Sequence, residues 1–97
     1  MTTPLTVTPE RGPDGTVVLL ATGEIDMTNS DVLTEAIEGT PGRVVVDLSG
    51  VEYIDSAGLA VLFIHAERIE VVVPSVLAPV VAFSGLSTMT TVHGLGD

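Results

Sequence analysis

The sequence predicts an α/β fold in one small domain spanning residues 1–97, built on a mixed, mostly parallel sheet of about four to five strands. Three observations lead there. The chain is 45% hydrophobic, yet its only aromatic residues are Tyr53, Phe63 and Phe83. Its core must therefore be Val, Leu, Ile and Ala, a palette that favours a central sheet. Second, β-branched runs at residues 44–48 and 69–73 alternate with breaker-free or helix-periodic segments at 32–38 and 59–68. Strands separated by helical crossovers pair in parallel. Third, 97 residues suffice to bury one core but not two.

Leu5-Thr6-Val7-Thr8 alternates apolar and polar side chains, the pattern of a half-exposed strand. Arg11-Gly12-Pro13-Asp14-Gly15 is a turn, and residues 16–22 form a more buried strand, so 5–22 reads as an antiparallel hairpin. Gly23-Glu24-Ile25-Asp26 reads as a loop. Thr28-Asn29-Ser30-Asp31 offers N-cap candidates for a first helix, whose Val32, Leu33, Ala36 and Ile37 recur at helical spacing. Gly39 ends it as a C′ residue, and Pro41-Gly42 prevents its resumption.

Val44-Val45-Val46-Asp47-Leu48 has the composition of a strand covered on both faces. It runs through Tyr53-Ile54-Asp55-Ser56-Ala57-Gly58 into a second helix ending near Arg68, whose cation suits a last turn. A strand at 69–73 stops at Pro74. Ser75 is the candidate cap of a short helix over 76–83, with Pro79 tolerated only in its first turn or at a kink, Ser84-Gly85 as its stop and 89–93 as a last edge strand. The order is β-β-α-β-α-β-α-β. The Arg68–Val71 junction is anomalous, because no Gly, Asn or Pro turns the helix into the strand. Either the helix frays near His65, or a flexible turn usual at such junctions is missing; the second is the expectation.

The net charge is −10, with Arg11, Arg43 and Arg68 as the only cations and no Lys. No basic stripe exists to neutralise phosphates, which argues against direct nucleic-acid binding and against anionic membrane surfaces. A protein partner with a basic or apolar face fits better, although acidity also serves solubility. Without Cys there is no disulfide or thiolate site. Met1-Thr2-Thr3-Pro4 shows no signal pattern, and the apolar run 57–64 is far below the about 20 residues a membrane helix needs. A cytoplasmic location is expected.

Ser56 is the leading candidate for chemistry. It sits where a helix begins, so Ser56 or Asp55 reads first as an N-cap. A hydrolase is the enzymatic alternative. Its nucleophile elbow requires Gly-x-Ser-x-Gly, and Ile54 occupies the first glycine position. The only histidines are His65, about 13 Å along the same helix, and His93 near the far end of the chain. Two separated histidines and scattered carboxylates match no metal-ligand spacing. Asp26 and Asp55 meeting at the C-terminal edge of the sheet would be weak grounds for Mg²⁺, and a phosphate loop would need a Lys. No cofactor, no metal and no catalytic residue is expected.

The stretch Val46-Asp47-Leu48-Ser49-Gly50-Val51-Glu52-Tyr53-Ile54-Asp55-Ser56-Ala57-Gly58-Leu59 resembles the central signature of STAS domains, specifically anti-sigma-factor antagonists. Gly23-Glu24-Ile25-Asp26 resembles their second signature, and the element order agrees over residues 5–93. The resemblance implies helices packed mainly on one face of the sheet. It implies a switch that sequesters an anti-sigma factor that is also an ATP-dependent serine kinase. That kinase phosphorylates the residue matching Ser56 and the complex dissociates; a metal-dependent serine phosphatase then restores the antagonist. ATP and Mg²⁺ belong to the kinase. Glu24, Asp26, Asp55, Ser56, Ala57 and Gly58 are the expected partner-binding residues, with Ala60 and Phe63 as extensions. Phe63 fits core packing better, and Gly58 permits close approach of the partner or of a neighbouring strand. The phosphate is expected to be tolerated by free N–H groups at the helix start.

Ala57 stands where many relatives have a second Ser. The sequence also ends where relatives commonly add a helix, which would leave sheet surface open to homodimerisation. A STAS module serving as a scaffold or transporter accessory, never phosphorylated, is the alternative within the family.

Overall fold

The computed structural model describes residues 3–95. They form β1 (Thr6–Arg11), β2 (Val17–Ile25), α1 (Ser30–Glu38), β3 (Val44–Ile54), α2 (Ser56–Ile64), a 3-10 turn (Ala66–Arg68), β4 (Ile69–Val72), α3 (Ala78–Ser84), a second 3-10 turn (Leu86–Thr88) and β5 (Val92–His93). The strands lie side by side in chain order. β1 pairs antiparallel with β2, and every later neighbour is parallel, because a helix or helical turn carries the chain back each time. The predicted mixed, mostly parallel sheet with an antiparallel edge is what forms.

One face of that sheet is covered. Leu19, Val46 and Val71 are aligned by the registers, as are Val44 and Ile69, and all five are buried. They pack with Leu33 and Ile37 of α1, Val61 and Leu62 of α2, and Val81 of α3 in one core. The other face carries Val18, Leu20, Val45, Asp47, Glu70 and Val72, all half-buried. Hence β3 is not covered on both faces. Its valines alternate between core and open face, a distinction that an unbroken β-branched run conceals.

Several boundaries move. β1 continues through Pro9 and Glu10 to Arg11, because Pro is tolerated on an edge strand. Residues 23–25 are not loop: Gly23 pairs with Val51, Glu24 with Tyr53 and Ile25 with Ile54, across two register shifts. The strands were prolonged by this pairing, which no local pattern announces. Ser75 does not cap α3; the chain turns over Pro74–Leu77, with Leu77 N donating to Pro74 O at 3.0 Å, and the helix begins at Ala78 with Pro79 in its first turn. The last strand shrinks to Val92–His93.

The two glycine helix stops differ. Gly85 is left-handed (φ 82°), as expected of a C′ glycine, whereas Gly39 is right-handed (φ −76°, ψ −6°) and ends α1 without that turn. The junction after α2 resolves against the missing turn. The helix stops at Ile64, His65 caps it, and a 3-10 turn ends directly on Ile69. His65 supplies the stop, with its buried ring on Val61 O (2.8 Å, Nδ1) and Glu38 Oε2 (3.2 Å, Nε2). No flexible residue is required.

Candidate functional site

The site is built where β2 and β3 leave the sheet at their C-terminal ends, the edge at which open α/β sheets bind ligands. Asp55 is the hinge. Its N–H donates to Ile25 O (3.1 Å), tying the end of β3 to the end of β2. Its backbone is extended, and its carboxylate caps α2, with Oδ1 accepting from Ala57 N (2.9 Å) and Gly58 N (3.2 Å). The other oxygen, Oδ2, accepts from Met27 N at 3.2 Å. One carboxylate thus holds three backbone donors on two segments 28 residues apart in sequence.

The neighbouring loop is organised by its own acid. Asp26 Oδ1 accepts from Thr28 N (2.9 Å) and the Thr28 hydroxyl, while Asp26 O accepts from Asn29 N and Ser30 N. Asn29 reaches back, Oδ1 accepting from Asp26 N and Nδ2 donating to Glu24 O, both at 2.9 Å. The N-cap candidates of α1 thus work as a network rather than as a single side-chain cap. The Thr28 hydroxyl and then its N–H hold the Asp26 carboxyl below the usual carboxylate range.

Ser56 is the first residue of α2; it is exposed, and its hydroxyl makes no hydrogen bond among the described residues. Glu24 and Ala57 are half-buried. Gly58 faces inward. A Cβ there would lie 2.6 Å from Ile54 Cγ1 and 2.7 Å from Ile25 Cγ2, so its lack of a side chain lets α2 rest on the strand ends. The close approach is to the strands. Phe63 packs on the core, as expected.

The free N–H groups expected for a phosphate are fewer than the helix start suggests, since Asp55 already occupies those of Ala57 and Gly58 and leaves that of Ser56. Neither histidine bonds Ser56. His65 lies at the opposite end of α2, and His93 Nε2 pairs with Glu70 Oε1 at 3.0 Å.

The surface around Ser56 combines apolar side chains with acid. Ser56, Ala60 and Ile64 form one exposed stripe of α2 at helical spacing, Ile64 being 76% exposed, and Met27 stands out at 79%. Glu24, Asp26, Glu52 and Asp55 supply the charge, whereas all three arginines lie at the other end of the strands. The exposure of Met27 and Ile64 was beyond sequence reasoning, because α2 is apolar on every side and its sequence does not say which face is outward.

Comparison with known proteins agrees with this architecture. A family model described as "Mlab, STAS domain" matches residues 9–92. Over 60 residues the chain is 40% identical to the anti-sigma-F factor antagonist RsfB of Mycobacterium tuberculosis, covering 58% of this chain and 49% of that protein. The chain spans about half the length of the curated relatives it matches. The crystal structure of an anti-sigma factor antagonist from Mycobacterium paratuberculosis superposes with a TM-score of 0.81 at 28% identity, over 93% of this chain and 86% of that one. The unphosphorylated form of the antagonist SpoIIAA shares the fold (TM-score 0.70, 18% identity, 92% and 89% covered). With its central signature at the β3–α2 turn, its sheet order and 9–92 matched, the chain belongs to the STAS domain family.

Proposed function

We propose that this protein is an anti-sigma-factor antagonist, a protein-binding switch that sequesters an anti-sigma factor with serine-kinase activity and is released when that kinase phosphorylates Ser56. The observation that carries the reading is Ser56 itself, an exposed hydroxyl at the start of α2 with no histidine bonded to it. Ala60 follows it on the same exposed stripe of α2, and exposed Met27 and the carboxylates stand at the same strand ends. The names of the relatives from the two mycobacteria support the same reading. Ser56 serves as substrate. Asp26 and Asp55 shape the surface that the partner meets, with Glu24 and Ala57 at its edge.

The switch follows from charge. A phosphoserine adds about −1.5 to −2 charge beside Asp55, where an interface had accepted a neutral hydroxyl. Repulsion and desolvation of about 2–3 kcal/mol weaken binding roughly 30- to 150-fold, with no change of fold. A serine phosphatase resets the state.

Incubation with the cognate kinase and ATP, followed by mass spectrometry, is expected to place one phosphate on Ser56, and Ser56→Asp, with its single charge, is expected to weaken kinase binding in the same direction by a smaller factor. Undiminished labelling of Ser56→Ala would sink the assignment. Equal affinity of wild type and Ser56→Asp would remove the charge mechanism.

A further inference from the structure

We infer that Asp55 is a positioning residue that clamps the Met27 loop against the start of α2, and that phosphate on Ser56 opens this clamp, so that the modification reshapes the docking face as well as charging it. The inference rests on reading Ser56 as the phosphoacceptor.

Three observations converge. The Asp55 carboxylate has no spare capacity on the helix side, because Oδ1 already accepts from Ala57 N and Gly58 N. Its second oxygen is the acceptor for Met27 N. Among the described residues no arginine stands nearby to take up a dianion. Arg11 donates to Gly15 O, Arg43 to Glu67 O and Ile69 O, and Arg68 to Thr40 O and Gly42 O, all at the opposite edge of the sheet.

A phosphate on Ser56 therefore finds only the Ser56 N–H unoccupied among the first three donors of α2, too few for a dianion, and has two choices. It competes with Asp55 for the Ala57 and Gly58 donors, or it stands beside Asp55 with like charge unrelieved. Both displace the same carboxylate. Because Oδ1 and Oδ2 share one rigid group, moving it from the helix also withdraws Oδ2 from Met27 N. The rest of the loop is held by Asp26 and Asn29, so the change is confined to Met27, whose side chain is 79% exposed and forms part of the face offered to the partner.

The test uses the full chain with phosphoserine installed at position 56 during translation, without any kinase, and follows backbone amides by NMR. The Met27 amide proton is expected to move upfield and to exchange about tenfold faster, as loss of one charge-assisted hydrogen bond implies. Asn29 N, bonded to Asp26 O within the loop, is expected to stay put. Asp55→Asn keeps an oxygen for the helix cap but turns an N–H₂ toward Met27, so it is expected to release Met27 with Ser56 neutral. Phosphoserine in that background then adds little at Met27. An unmoved Met27 amide in the phosphorylated chain, with Asp55→Asn still shifting it, would overturn the inference. Failure of a kinase to label Ser56 would instead overturn the functional reading and leave this result standing.

Discussion

The two edges of the sheet solve the same problem with opposite charges. Where β2 and β3 end and helices begin, unpaired N–H groups point outward, and Asp26 and Asp55 accept from them. Where helices end and strands begin, the unpaired groups are carbonyls, and arginines donate to them. Arg68 reaches from the end of α2 to Thr40 and Gly42 after α1, while Arg43 reaches the other way to Glu67 and Ile69. In a parallel α/β layer all helix starts fall at one edge, so capping alone separates the charges. The arginine edge is thereby closed on itself. At the Ser56 edge, carboxylates face outward with no arginine among the described residues to pair with them, so a basic partner can still add something there.

Variants that break one edge at a time test this division, and the largest effect is expected under the Ser56 edge itself. Gly58→Val drives a branched side chain into Ile25 and Ile54 and should cost about 3 kcal/mol, read as a lower urea midpoint. Next comes Arg68→Met, which removes the carbonyl ties at the other edge. It is expected to lose about 1.5–3 kcal/mol in the same experiment, with phosphate uptake at Ser56 unchanged. Uptake falling in proportion to stability would erase the distinction between the edges. Asp55→Ala should cost about 1–2 kcal/mol for the lost cap and, unlike Arg68→Met, also alter partner affinity.

The smallest effect concerns pH. The Asp26 carboxyl is held low by Thr28, so its stabilising contribution is present above the unfolded carboxylate value and disappears as pH falls through the depressed folded one. Thr28→Val removes the hydroxyl, and the Asp26 titration midpoint measured by NMR should move up towards the ordinary value. A midpoint that stays in place would assign the depression to the backbone bonds alone.

That a cap sits at Asp55-Ser56 was legible from the helix start there, but which of the two side chains caps was left open until the structure gave it to Asp55; the β-α alternation made the parallel sheet legible in the same way. The extension of β2 through Gly23–Ile25 was not, since those residues become strand only by pairing with Val51–Ile54 across register shifts. His65 was weighed as a possible base. Its burial between Val61 O and Glu38 depends on α1 and α2 ending side by side, which no spacing within either helix encodes.

The sequence alone determined the element order, the βαβ rhythm, the family signature and the position of Ser56 at a helix start. These are local matters of periodicity, breakers and motif. Tertiary structure alone decided that Asp55 holds Met27, that Gly58 faces the strands, and that the three arginines gather at the far edge. Each of these depends on which distant backbone groups are left unpaired once the sheet has formed, and that is a property of the assembled layers.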